Sequence, residues 1–285
     1  MDRRRGFTLV ELGIVLVVVA AVAMLVLPML GGHRCGRGCG NRSMKDSSQV
    51  RGVHQGLVMW AQNSQDRYPL PSLLDVKDAT IAAPAESKDT TADIMSILIF
   101  NGFFGPELCI SPAEANSAIK QMTDYTYSSP PKAADPANAL WDPAFRADFT
   151  SKEGGHFSYA HMQFGHGARM GTWANTFSAT QAAVGNRGPK VTGPDGKGWS
   201  HDTASNTLLI HGGRTTWEGN IAYNDNHVNF ETRMDPEGIA STVNGRTLAD
   251  CLFFDEAEDA TGLNALLGLY STSGSSPGAF TTIWD

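Results

Sequence analysis

From Phe7 to Leu30 the chain runs for 24 residues in which Glu11 is the single charged side chain. A helix of that length is roughly 36 Å long, enough to span a bilayer with some tilt. Gly13 and Pro28 interrupt the run. Pro28 has no backbone N–H, so it either kinks the helix or marks its end ahead of Gly31-Gly32. Residues 31–40 then hold five glycines. Each costs up to about 1 kcal/mol relative to Ala in a helix interior, which argues against a continuous helix there. Helical patterning returns after Asn41, where Val50, Val53, Leu57 and Trp60 or Ala61 recur at three- and four-residue spacing. This helix should stop near Asn63, because Tyr68-Pro69-Leu70-Pro71 cannot continue it.

Beyond residue 72 the pattern predicts helix and loop to about 120. Ile94, Ile97, Leu98 and Phe104 suit a helix over Thr91 to Phe104, and the Pro- and Ala-rich stretch 128–150 reads as a long loop. Later segments turn to strand. Asn220 to Tyr223 and Val228 to Glu231 form a pair joined by Asn224-Asp225-Asn226-His227, residues that tolerate the left-handed turn of a tight hairpin. Leu263 to Tyr270 reads as a short helix, and Ala279 to Trp284 as a last strand. The expected class is α+β: an N-terminal hydrophobic transmembrane and stem helix, then a head with an antiparallel sheet. The segments are a basic N-terminal stretch (1–6), a membrane helix (7–30), a glycine-interrupted helical segment (31–66) and a globular part (67–285).

Charge orients this layout. Arg3, Arg4 and Arg5 precede the apolar run, which keeps that end cytoplasmic and places the head outside the inner membrane, where disulfides are permitted. The net charge of −7 disfavours nucleic acid as a partner. Without residues 1–6, which carry one acid and three arginines, the side chains total −9. Ala21-Val22-Ala23 matches a signal-peptidase pattern, yet Met24-Leu25-Val26-Leu27 continues the apolar run past it. Glu11 is the informative residue. A lone carboxylate in hydrocarbon is costly unless paired, and a positive N-terminal amine on a neighbouring copy would neutralise it.

The basic leader, Gly6-Phe7-Thr8-Leu9-Val10-Glu11 and the long apolar run resemble the type IV prepilin signature. That resemblance implies cleavage between Gly6 and Phe7 by a prepilin peptidase, methylation of Phe7, an assembly role for Glu11, and a pilin-like head. Cys39-Gly40-Asn41, Gly56-Leu57-Val58-Met59-Trp60 and Tyr68-Pro69 resemble, more loosely, the large pilin-like proteins of planctomycetes. In that group a His, a spacer of nine and Asp-Gly-His-Val mark the late hairpin. Here the order is His211, a spacer of thirteen, and Asp225-Asn226-His227-Val228. Glu107 to Pro112, Phe157 to Ala160 and Gly185-Asn186-Arg187-Gly188-Pro189 resemble its other motifs, which implies a strand end, a strand and a turn in that order.

Four cysteines, Cys35, Cys39, Cys109 and Cys251, allow three pairings. Cys109 with Cys251 is the expected long-range disulfide; a Cys35–Cys39 bridge requires the glycines to break the helix. Zinc at the close pair lacks the second pair or histidines such sites use. His156, His161 and His166 recur every five residues, a spacing that neither helix nor strand gathers on one face, so they read as loop or surface residues. Gly274-Ser275-Ser276-Pro277-Gly278 matches a nucleophile-elbow pattern, but no His follows position 227, and it reads as a loop. Asp225, Asp235, Asp255, Glu256 and Asp259 could hold Ca²⁺, the one cofactor considered, since major pseudopilins carry such a site near the C-terminus; solvated acidic faces are the alternative. No catalytic constellation emerges. The expectation is a non-enzymatic filament subunit of a type IV pilus or type II secretion system, with a prepilin peptidase, other pilin or pseudopilin subunits and the inner membrane as partners. The alternative is a membrane-tethered periplasmic binding module, and the size of the head favours a minor subunit.

Overall fold

The computed structural model describes residues 37–164, 171–195, 198–243, 246–255, 265–272 and 280–285. The apolar run 7–30 and the Gly6 to Glu11 motif lie outside them. Among the described residues no helix is long and apolar enough to cross a membrane.

The first helix, α1 (Arg37–Gln62), begins ahead of Asn41 and stops one residue short of Asn63. Its stripe Val50, Val53, Leu57 and Ala61 is fully buried, as the spacing required. Two glycines on this helix serve packing. A Cβ on Gly52 would stand 2.7 Å from Leu108 Cδ2, and one on Gly56 would stand 2.7 Å from Phe104 Cδ1. The chain after the third helix thereby lies directly on α1.

A one-turn helix, α2 (Pro71–Leu74), follows, then α3 (Thr91–Phe100). Thr90 caps α3 by accepting the Asp93 N–H. The helix ends at Phe100, earlier than the expected Phe104, because Gly102 adopts φ +76 and turns the chain. That turn delivers Phe104 to Gly56 of α1.

Among the described residues ten strands follow: β1 (Tyr159–Met162), β2 (Ala182–Asn186), β3 (Val191–Asp195), β4 (Gly198–His201), β5 (Gly219–Tyr223), β6 (Val228–Glu231), β7 (Ala240–Val243), β8 (Arg246–Ala249), β9 (Leu267–Thr272) and β10 (Phe280–Ile283). Six form one sheet in the order β10-β9-β1-β2-β5-β6, every neighbour antiparallel. The hairpins β3–β4 and β7–β8 stand apart from it. The sheet and its helices belong to one unit, Asn41–Asp285. This is an α+β fold with an antiparallel sheet.

Side chains alternate between the faces of the sheet. Tyr159 and His161 point to the helices, where they bond Asp46 of α1 and Thr91 of α3. Met162, Leu267 and Leu269 point the other way and are equally buried. The Leu267 N–H donates to Leu252 O, and Phe253 packs its ring on Trp217 at 5.0 Å. Both faces are therefore covered.

Three expectations need correction. Residues 267–272 form strand β9 and not the end of a short helix: Leu267 and Leu269 face one side, Gly268 and Tyr270 the other, a period of two. Gly185 and Asn186 lie in β2 and Arg187 is buried beyond them, so the motif at 185–189 begins as strand and is not a turn. His161 is fully buried in β1, not on a loop or the surface; His156 is partly buried, and His166 lies outside the described residues.

The α1 glycines yield a test. Gly56→Val should lower stability by roughly 1–3 kcal/mol despite removing a helix-interior glycine, because Phe104 must be displaced. Urea unfolding of the two chains would measure it.

Candidate functional site

A buried polar cluster is built on Asp46, which is fully buried on α1. Ser111 Oγ donates to its Oδ1 at 2.5 Å and Tyr159 Oη to the same oxygen at 3.3 Å. His211 Nε2 donates to Oδ2 at 2.9 Å and Asn220 Nδ2 at 2.8 Å. Burial pulls the Asp46 carboxyl up, but the bonds from His211, Ser111 and Asn220 outweigh it and hold the group below its ordinary value. Ser, Asp and His are the residue types of a hydrolytic triad, but their order is wrong. The carboxylate sits in the middle and takes a proton bond from each partner, so the imidazole does not face the serine oxygen. This cluster fastens segments together and does not activate a nucleophile.

Two turns along α1, His54 is also buried. Its Nδ1 meets Asn226 Oδ1 at 3.0 Å, and its Nε2 lies 3.2 Å from Tyr68 Oη. Burial lowers its pKa, partly offset by the bonds to Asn226 and Asn224. Tyr68 donates to Asn224 Oδ1, and Asn224 Nδ2 donates to Ala174 O and Gln181 Oε1. The β5–β6 turn is thus tied both to α1 and to the chain before β2.

On the other side of that hairpin lies an open cavity of about 340 Å³. His227, Asn229 and Glu231 line it at every second position, one face of an extended strand, with Arg233 and Glu237 beside them. Asp225 Oδ1 holds His227 Nδ1 at 2.5 Å, and the imidazole stacks on Tyr223 at 4.5 Å between ring centres. Tyr223 Oη donates to Glu231 Oε1. His227 and Glu231 are four positions apart, roughly 13 Å along a strand, too far to chelate one ion together. The row suits hydrogen bonding to an extended polar group.

The calcium candidates are dispersed. Asp225 is engaged by His227, and both oxygens of Asp235 accept from Arg233. Asp255 follows Phe254, whose ring packs on Trp199. Among the described residues no three His, Cys, Asp or Glu side chains are gathered to hold a metal ion. Glu256 and Asp259 lie outside the described residues, as do Gly6, Phe7, Glu11, Cys35 and the Ser-containing stretch at 274–278. Cys39 falls in the first turn of α1.

The expected Cys109–Cys251 disulfide is not formed: Cys109 is a buried thiol. Cys109 ends a 3₁₀ turn beside α1, and its carbonyl accepts the Ser158 N–H. Cys251 precedes Leu252 and Phe253, which pack at Leu267 and Trp217, on the face away from the helices. The sheet separates the two cysteines, and burial pushes the Cys109 thiol up, away from the reactive thiolate.

Sequence reasoning did not anticipate Asp46, Ser111 and Asn220 as a unit, because their partners lie 65 to 174 positions away. The signal present was a lone Asp at 46 on the buried face of a predicted helix, four positions before Val50. It also missed Arg187, whose buried guanidinium bonds Glu114 at 2.7 Å, Asp285 at 3.1 Å and Ser158 O, with its cationic carbon 4.6 Å from the Phe149 ring centre.

Two further buried groups titrate in opposite senses. Burial lowers His161 to about 4, although its Nδ1–H donates to Met162 O. Thr91 Oγ1 donates to Nε2, and a second proton on the ring would face that hydroxyl. Burial raises Asp93 to about 6 against the bonds from Thr90 and Trp141.

Asp46→Ala should cost roughly 3–5 kcal/mol, since four donors lose one buried acceptor, and Asp46→Asn roughly 1–3 kcal/mol; urea unfolding would report both. Between pH 6.5 and 4 the unfolded chain takes up the His161 proton first, so acid removes stability. Between pH 6 and about 4 the folded chain takes up the Asp93 proton first, so acid adds stability of similar size, roughly 3 kcal/mol each. The two offset one another. Asp93→Asn should therefore lose stability relative to the parent as pH falls from 6 to 4, seen in urea midpoints taken across that window.

No protein-family model, curated protein or solved structure matches this chain.

Proposed function

We propose that the chain is a structural subunit, a minor pilin or pseudopilin, of a type IV pilus or type II secretion filament. The observation that carries this reading is the Gly6-Phe7-Thr8-Leu9-Val10-Glu11 motif behind three arginines and ahead of an apolar run with no other charge. A prepilin peptidase cuts after Gly6 and methylates Phe7. Residues 7–30 anchor the subunit in the inner membrane with the head in the periplasm. Glu11 pairs with the Phe7 amine of a neighbouring subunit, which sets the axial step as apolar helices pack. The arrangement of α1 on an antiparallel sheet suits a stem helix carrying a head. In this reading the role is structural: Ser111 Oγ and His211 Nε2 each bond an oxygen of the same Asp46 carboxylate, which fastens their segments to α1.

One observation supports a second reading, a tethered binding module: the cavity lined by His227, Asn229 and Glu231 offers a row of polar groups on the solvent side of the head.

Intact mass of the mature protein should equal the chain without residues 1–6 plus one methyl group. Glu11→Leu should leave that processing unchanged and abolish incorporation into filaments. An uncleaved leader, or normal incorporation of Glu11→Leu, would overturn the reading. The copy number in the same filaments separates a major subunit from a minor or binding one.

A further inference from the structure

The six-stranded sheet has two open edges among the described residues, β6 and β10. Each is four residues long, and no residue of either is fully buried. Neither contains Pro or Lys, residues that commonly guard an edge. No bulge interrupts their pairing with β5 and β9.

The edges match in direction. All five pairings in the sheet are antiparallel, so six strands leave β6 and β10 running oppositely. Shifting one copy sideways sets its β10 beside β6 of the next in antiparallel order.

They also match in bonding. Tyr223 N–H donates to His227 O, so with the pairings Ile221↔Asn229 and Gly219↔Glu231 the backbones of 227, 229 and 231 face β5. Those of Val228 and Phe230 face outward. On β9, Gln163 N–H donates to Leu266 O and Tyr270 N–H turns to Thr91, so Leu269 and Ser271 face β10 and bond Ile283 and Thr281. The backbones of Phe280 and Thr282 face outward.

The side chains agree as well. Phe230 stands opposite Asn220, whose amide reaches Asp46 of α1, and Thr282 stands opposite Tyr270, whose ring meets His161. On both edges the outward-bonding residues therefore present their side chains to the helix side. Joined edges keep the helix layers of successive copies on one face.

We propose that β6 of one copy pairs with β10 of the next, Val228 opposite Thr282 and Phe230 opposite Phe280, continuing the sheet from head to head. The contact is heterologous, so it propagates, and strand twist turns the array into a helix rather than a closed dimer. A four-residue ladder buries far less than the roughly 1,200 Å² of a stable interface. It therefore acts between copies already concentrated along one axis, and to that extent the inference rests on the filament reading.

In this register Asn229 and Thr281, both exposed, are a close non-hydrogen-bonded pair. The test uses the full chain in membranes with Cys35 and Cys39 changed to Ser. Asn229→Cys with Thr281→Cys should give, on mild oxidation, a ladder of dimers, trimers and higher species. Each single-cysteine chain should give none, and adding Phe230→Lys should abolish the ladder. Absence of a ladder while the double variant enters filaments normally would overturn edge pairing and leave the filament reading standing. Dimers from Asn229→Cys alone would overturn it in favour of a symmetric β6–β6 contact. A ladder that persists in Glu11→Leu chains that still enter filaments would support edge pairing while the Glu11 mechanism fails.

Discussion

A carboxylate with no access to water must be matched from within the protein, and Asp46 is matched by four donors from four separate segments. Ser111 comes from the chain after α3, Tyr159 from β1, Asn220 from β5 and His211 from the loop before it. Each must arrive at its place for the charge to be tolerated, so the group selects one arrangement of helix on sheet. The apolar stripe Val50, Val53, Leu57 and Ala61 supplies attraction but would accept some sliding. The polar point at Asp46 removes that freedom, and His54, eight positions on and within the stripe, adds a second fixed point that removes rotation.

The same helix shows how close approach is obtained. Gly52 and Gly56 would each be liabilities for a free helix. Here they open two notches, filled by Leu108 and Phe104. The turn at Gly102 that shortens α3 aims Phe104 at its notch. Helix propensity is given up where packing gains more.

What the sequence disclosed follows from range. The α1 face and the β5–β6 hairpin are local patterns, and both could be read directly, including the left-handed residue in the turn. The end of α3 was placed late because Phe104 fits the helical spacing while Gly102 breaks it. Strand β9 was read as a helix because Leu263, Leu266, Leu267 and Tyr270 also fit a helical spacing, and only the pairing with β1 and β10 selects the extended form. His161 looked like a surface residue because its partners, Thr91 and the rings of Phe164, Trp173 and Tyr270, come from distant segments. Cys109 and Cys251 looked like a pair because sequence carries no sign of which face of a sheet a residue will occupy.

The turn at Asn226 shows why a departure from an expected motif is informative when its geometry is known. The hairpin needs one residue with positive φ, and glycine meets that need at no steric cost. Asn226 takes φ +70 in its place, and Asn is among the few other residues that tolerate it. Its N–H donates to Tyr223 O to close the turn, while its side-chain oxygen reaches His54 of α1 at 3.0 Å. A glycine would close the same turn but leave that nitrogen of a buried imidazole without a partner. The turn therefore does more than reverse the chain. It fixes the free end of the β5–β6 hairpin to α1, and this holds β6, one of the two sheet edges among the described residues, in a set position relative to that helix.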